Sequence, residues 1–346
     1  MPTTPTTPAP LVIGVDSGGT STRCAVVGLD GRVQARGHGP GGNLRSSPDP
    51  AGALRQALED ALRGVDRHRI AAGHLAFAGA DGEDATTYRE MAAWVWREAR
   101  LPGAPVVGDD LAAAVAGATD SPDALLLLSG TGAVAALYRG GARTARRDGY
   151  GWLLGDEGSG VWLGRQAVVR TLAALDGRGP ATALLDVLPG ALAVESGGAD
   201  GTGTALARRM VTAVHAAPPA ELARLAPLVD AVARNGDRVA ARIVAEGAHL
   251  LLRTLDSLAD ATGADFAALP VVLAGGLLTG RTLLADRVTA ALRARGTATV
   301  PARDAATGAA ALAALALRAP ATPAGARRLH RAVAGLGPAR TDTAGS

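Results

Sequence analysis

The chain has 346 residues, enough for two domains of ordinary size, and 48% hydrophobic against 19% charged residues excludes a disordered polymer. All 35 basic residues are arginine, scattered among 32 acids to a net charge of +3, and aromatics make up 3%, so neither the electrostatic stripe nor the stacking platform of a nucleic-acid binder is present. The lack of lysine excludes a P-loop, and the lone Cys24 excludes an intrachain disulfide, a thiolate metal cage and a chain-contained iron–sulfur cluster.

Met1–Pro10 is rich in Thr and Pro and lacks the basic start and apolar stretch of a signal peptide. No run approaches the ~18 apolar residues of a membrane span, and a reducing cytoplasm is the expected location. Leu11–Asp16 and Thr22–Leu29 read as strands around the glycine turn Ser17–Ser21, and Asp30-Gly31 signals a hairpin into Arg32–Gly37. Helical spacing follows over Pro50–Arg63 and Asp84–Arg100, with His74–Ala78 and Pro105–Gly108 as strands between and after them, so strands alternate with helices. Ala124–Leu128, Ser129–Gly132 and Ala133–Tyr138 repeat the opening order of apolar run, small-residue turn and apolar run, which suggests a structural duplication. Beyond Trp162 helices dominate, over Ala205–His215, Ala220–Arg234, Arg238–Ala261, Arg281–Arg295 and Ala305–Arg318, interrupted by a strand at Pro270–Ala274. Ala319–Ser346 reads by composition as a mobile tail.

Several constellations carry chemistry. In Asp16-Ser17-Gly18-Gly19-Thr20 an acid ends a strand before a glycine turn; bare backbone amides there can approach phosphate oxygens, and the carboxylate can hold hydrated magnesium. A plain hairpin turn explains the same residues. Ser129-Gly130-Thr131-Gly132 is a second such turn, and the two together could hold a polyphosphate without lysine. In Gly108-Asp109-Asp110-Leu111 one acid can cap the following helix, which leaves the other as a candidate base for an attacking hydroxyl. Gly149–Gly160 places Tyr150, Trp152, Asp156 and Glu157 in a glycine-dense stretch before a helix; carboxylates there suit sugar hydroxyls, or simply favour the helix start. Leu273-Ala274-Gly275-Gly276 ends a strand where a flat base could meet backbone, or where the chain merely turns. His74, His215 and His249 stand apart from one another and from Cys24, and read as structural.

Taken in order, Asp16–Thr20, Asp109-Asp110, Ser129–Gly132, Gly155–Ser159 and Gly275-Gly276 resemble the actin-like ATPase fold, and more narrowly the N-acetylglucosamine kinase family. Its bacterial relatives include glucosamine kinases and the ATPase subunits that activate benzoyl-CoA reductase and hydroxyacyl-CoA dehydratase. The resemblance runs from about Leu11 to Arg318. It implies a duplicated, ribonuclease H-like α/β fold of two domains with a cleft, spanning 11–119 and 120–318, the second with a helical insertion, followed by the tail 319–346. It also implies a homodimer and transfer of the terminal phosphate of Mg-ATP to the 6-hydroxyl of an amino sugar. Asp110 then matches the catalytic base and Asp16 the magnesium-associated acid. Gly18, Gly19, Thr20, Gly130, Thr131 and Gly132 match the phosphate loops, and Gly236, Gly275 and Gly276 the adenosine side. Asn43, Gly79, Tyr150, Gly151 and Asp156 match sugar contacts. Ala133 and Val134 stand where the animal enzymes carry Ser-Asn, and Tyr150 where they carry tryptophan, so one polar sugar contact of that set is absent. A partner-activating ATPase is the alternative, although the electron-passing type needs cluster thiolates that Cys24 does not supply. A non-catalytic sensor on the same scaffold is a third reading, against which Asp110 stands.

Overall fold

A computed structural model of the chain describes residues 9–195, 203–266 and 268–337. Residues 1–8 of the Thr/Pro-rich start and 338–346 of the expected tail lie outside the described residues. No helix among the described residues is long and apolar enough to cross a membrane.

The chain opens with an antiparallel meander, β1 (Leu11–Ser17), β2 (Ser21–Gly28) and β3 (Val33–Pro40), followed by α1 (Pro50–Ala61), β4 (Ile70–Phe77), α2 (Ala85–Glu98), β5 (Val106–Asp109) and α3 (Asp110–Ala116). These strands form one sheet in the order β3-β2-β1-β4-β5, with β4 and β5 parallel to β1. Strand β1 is buried on both faces, which its unbroken apolar run requires. Leu11, Ile13 and Val15 point to one side, against Leu54 and Leu58 of α1 and Trp96 of α2. Val12 points to the other. Helix α1 has a clear start: the Asp49 carboxylate accepts the Gly52 amide proton at 2.8 Å and Pro50 occupies the first turn.

The second unit repeats the pattern with β6 (Ala124–Ser129), β7 (Ala133–Arg139) and β8 (Ala142–Asp148). Then come α4 (Gly160–Leu175), α5 (Leu184–Ala191), α6 (Gly203–Ala216), a 3-10 turn at Pro219–Leu225, α7 (Ala226–Arg234) and α8 (Arg238–Thr262). Strand β9 (Val271–Ala274), α9 (Gly276–Thr279), α10 (Leu283–Ala294) and β10 (Thr299–Pro301) complete it. Its sheet order is β8-β7-β6-β9-β10, with β6 and β7 antiparallel, β7 and β8 antiparallel, and β9 and β10 parallel to β6. Strand for strand this is the order of the first sheet, so the duplication suggested by the two turns is a duplication of topology. The apolar core of this unit joins Leu125, Leu127 and Leu137 of the sheet to Trp162 of α4 and to Ile243, Leu251 and Leu255 of α8.

The chain then returns to the first unit through α11 (Ala305–Arg318) and α12 (Pro323–Ala334). Contacts assign residues 1–122 and 302–346 to one unit and 123–301 to the other. This differs from the expected division at 119 and from the reading of 120–318 as one continuous domain. The cause is packing: Ala306, Ala310, Ala311 and Ala314 of α11 cover the Val12, Ala25 and Val27 face of the first sheet. Nor is 319–337 a loose tail. Helix α12 begins with the Thr322 hydroxyl accepting the Gly325 amide proton at 3.1 Å, buries Val333 and Ala334 in the same core, and ends at Gly335 in the left-handed conformation. His330 Nε2 meets the Ala116 carbonyl at 2.7 Å, and Arg331 pairs with Asp120 at 2.7 Å. Truncation of a buried valine leaves a cavity, so Val333→Ala lowers unfolding stability by about 1–3 kcal/mol in a urea titration. An unchanged midpoint would restore the loose-tail reading.

Candidate active site

In the first unit three parallel strands end side by side, and their ends carry the acids. Asp16 on β1 lies opposite Ala76 of β4, and Phe77 of β4 lies opposite Asp109 of β5. Ser17, fully buried, shares a 2.9 Å hydrogen bond with the Thr22 hydroxyl, which donates to the Pro40 carbonyl at 2.8 Å. The Gly18 amide donates to Ser21 O at 3.0 Å, closing the turn and leaving Gly19 and Thr20 exposed at its tip. The two members of the acid pair divide their work. Asp109 caps α3, its Oδ1 accepting from the Ala112 amide at 2.6 Å. Asp110, the first residue of α3, is half-buried, and its carboxyl is pushed up to about 7 by desolvation, then by the charges of Asp16, Asp109 and Asp81, against a lowering bond from its own amide.

Asp16 is likewise raised by burial and by Asp304, while Arg23 lowers it from 3.9 Å. Asp304 was not among the sequence candidates; it caps α11 and pairs with Arg36. Asn43 donates through Nδ2 to the Ala78 carbonyl at 2.9 Å and accepts the Arg45 amide proton at 2.8 Å, so part of its hydrogen-bonding capacity shapes its own loop. Tyr88, also unforeseen, donates to the same Ala78 carbonyl at 3.0 Å and accepts the Leu44 amide proton at 3.0 Å. The loop 41–45 is thereby tied to the end of β4. Gly79 follows with φ +85°, exposed.

These donors fit magnesium. No group of three His, Cys, Asp or Glu side chains that could hold a metal ion clusters among the described residues. The Asp16 charge on β1 helps raise Asp110 at the start of α3, and a lone carboxylate completed by oxygen ligands such as water is coordination that a hard cation accepts.

In the second unit Ser129 is fully buried and donates to the Gly158 carbonyl at 2.9 Å. The turn it opens is held from behind, because Gly160 N donates to Gly130 O at 2.8 Å and Val161 N to Thr131 O at 3.3 Å. Gly275, just past β9, has φ +82°, and a Cβ there would sit 2.2 Å from Ser129 O, so only glycine lets the two turns touch. Gly276 begins α9. Asp156, with φ +55°, places its carboxylate beside Gly132, where the amides of Ala133 and Gly151 bond it; burial nevertheless raises its pKa. Tyr150 is exposed, with the Arg146 guanidinium 5.9 Å from its ring centre. Ser129–Gly132, Gly151, Asp156 and Gly275 are thus brought together, whereas Gly236 stands in the turn between α7 and α8, bonded to Ala233 O at 3.1 Å. Glu157 pairs with Arg253 of α8. A further residue that sequence reasoning missed in this unit is Asp148, whose carboxylate accepts the amide protons of Asp156 at 2.8 Å and Glu157 at 2.9 Å. An Asp-Gly step after an arginine-rich segment was its only signal.

Cys24 lies buried in β2, and burial pushes its thiol up to about 12, the opposite of a ligating thiolate. His74 Nε2 is buried without a hydrogen-bond partner, and desolvation lowers its pKa to about 4, so the imidazole is neutral at pH 7.

The chain is similar to an N-acetylmuramic acid/N-acetylglucosamine kinase of Clostridium acetobutylicum, 27% identical over 80% of this chain and 88% of that protein. An N-acetyl-D-glucosamine kinase of Dictyostelium discoideum is 25% identical over the same shares. A solved structure from Chromobacterium violaceum, provisionally identified as an N-acetylglucosamine kinase, superposes with TM-score 0.68 at 28% identity, over 88% of this chain and 99% of that one. The two α/β units have the actin-like ATPase fold. The model of the BadF/BadG/BcrA/BcrD ATPase family matches residues 13–313, and the protein belongs to that family.

Proposed function

We propose that this protein is an ATP-dependent hexosamine kinase that moves the γ-phosphate of Mg-ATP to the 6-hydroxyl of N-acetylglucosamine or a close amino sugar such as N-acetylmuramic acid or glucosamine. One observation carries the chemistry: Asp110 opens α3 directly after the parallel strand β5, with its carboxyl pushed up to about 7, where a base works at neutral pH. The kinase relatives and the matching family model support the same reading.

In this mechanism Asp110 accepts the proton of the sugar hydroxyl as its oxygen forms a bond to the γ-phosphorus, and the bond from phosphorus to the ADP oxygen breaks. Backbone amides and hydroxyls are the phosphate donors of this proposal: Gly18, Gly19 and Thr20 in one glycine turn, Gly130, Thr131 and Gly132 in the other. Gly236, Gly275 and Gly276 serve the adenosine. Sugar contacts are assigned in this reading to Asn43, Gly79, Tyr150, Gly151 and Asp156. Asn43 retains a second amide hydrogen beyond its bond to Ala78, and the Asp156 carboxylate retains lone pairs beyond its two backbone donors. Asp16 would hold Mg²⁺, which supplies charge neutralisation on the transferring phosphate when bound. A cytoplasmic homodimer completes the proposal.

Purified protein given ATP, Mg²⁺ and a panel of hexosamines yields ADP and a sugar phosphate in equal amounts; protein that binds ATP yet phosphorylates no hexosamine refutes the assignment. Asp110→Asn removes the base and lowers kcat by roughly 10²- to 10⁴-fold while ATP binding persists. The same substitution reports on linkage. The folded carboxyl titrates above its unfolded value, so the stability it contributes is complete below about 4 and is lost as pH rises through about 7. Asp110→Asn therefore melts at a higher temperature than the wild type at pH 8 and at an equal temperature below pH 4. Only the carboxylate accepts a proton, so wild-type kcat/KM for the sugar rises about tenfold per unit of pH up to about 7 and then levels; a flat profile between pH 5 and 8 would remove Asp110 from the role of base.

A further inference from the structure

Strand β8 ends at Asp148 in the left-handed conformation, φ +61°, a backbone region that side-chain-bearing residues avoid unless neighbouring structure compels it. Both of its carboxylate oxygens are occupied. Oδ1 accepts from Asp156 N at 2.8 Å and Oδ2 from Glu157 N at 2.9 Å, bridging across the whole of 149–155. The room for this carboxylate is made by Gly155, where a Cβ would lie 2.2 Å from Asp148 Oδ1. Asp156, held in turn with φ +55°, receives the amides of Ala133 and Gly151 on its own carboxylate and lies against Gly132.

Hydrogen bonds therefore run in series. Asp148 fixes the backbone of Asp156, the Asp156 carboxylate fixes the rear of the Ser129–Gly132 turn at Ala133, and it fixes the loop at Gly151. We infer that Asp148 is a positioning residue that acts through Asp156, holding the phosphate turn and the sugar-side loop of the second unit in one register. Substrate binding on the loop is in this way coupled to the placement of the amides that receive phosphate. The inference rests on the kinase reading for its catalytic consequence, but not for its geometry.

Asp148→Asn preserves shape yet keeps one acceptor oxygen, and turns an NH₂ toward an amide that needs an acceptor. Gly155→Ala leaves Asp148 chemically intact and displaces its carboxylate. Each lowers kcat/KM for the sugar about 10- to 100-fold, since small misplacements of a site carry losses of that order. A structural defect elsewhere would lower stability without coupling to Asp156, so the deciding comparison is a double-mutant cycle: Asp148→Asn combined with Asp156→Asn is no slower than Asp156→Asn alone. In amide hydrogen exchange of both variants, protection falls in 131–133 as well as in 150–157. Losses that multiply in the cycle, a wild-type kcat/KM in Asp148→Asn, or faster exchange confined to 155–157 overturns the inference. Should the wild type phosphorylate no hexosamine, the kinase reading alone fails, and exchange at 131–133 still decides: unchanged protection there rejects the positioning role, lost protection sustains it.

Discussion

Both glycine turns depend on a buried serine hydroxyl at the end of the preceding strand. Ser17 and Ser129 occupy the same place in two sheets of the same order, and each spends its oxygen on holding the turn that follows, through Thr22 and Pro40 in one case and Gly158 in the other. No lysine is present, and in the kinase proposed above these turns would meet phosphate with main-chain amides. Such dipoles stabilise an anion only when already oriented, so rigidity beneath the turn does the work that a flexible ammonium does elsewhere. The Asp148–Asp156 series, the bonds from Gly160 and Val161, and the contact of Gly275 with Ser129 follow from the same requirement.

On the first unit the requirement is reversed, because acids and not amides are crowded together. Asp16, Asp81, Asp109, Asp110 and Asp304 belong to strand ends, a nearby loop and a helix start, and mutual repulsion with burial raises Asp16 and Asp110 alike. Asp109 escapes part of that strain by serving a helix. The kinase proposed above gives this crowding a rationale, with a cation and a proton-bearing substrate arriving there.

Much of this was legible because the decisive signals were local. Apolar runs ending in small-residue turns marked β1, β2, β6, β7 and β9, and 3.6-residue spacing marked α8 and α11 nearly to the residue. Strand β8 was not read because Ala142–Asp148 is an arginine-rich edge strand, whose charges guard an open rim and mask the alternation. Strand β10 is too short to show any period. Helix α12 carried sound signals, Thr322-Pro323 at its start and Gly335 at its end, but composition was allowed to outweigh them. At the candidate site, residue type and position pointed to the Asp109-Asp110 pair, Asp16 and both turns, and the choice of Asp110 within its pair came from the family resemblance. Asp148 and Tyr88 could not be found this way, since their roles lie in hydrogen bonds to backbone far along the chain, which no spacing rule encodes.

Helices α11 and α12 have a consequence for how the polypeptide comes into being. A ribosome delivers the first sheet early, yet the alanine face that covers Val12, Ala25 and Val27 is not translated until residues 306–314. Throughout synthesis of the entire second unit, one side of the nascent N-terminal sheet lacks its native cover. Its contacts with α11 join distant parts of the chain, which slows folding and leaves apolar strand surface open to other chains in the interval. The second unit, continuous from 123 to 301, waits for no such late segment, so the end of the molecule made earliest is the one whose cover is made last.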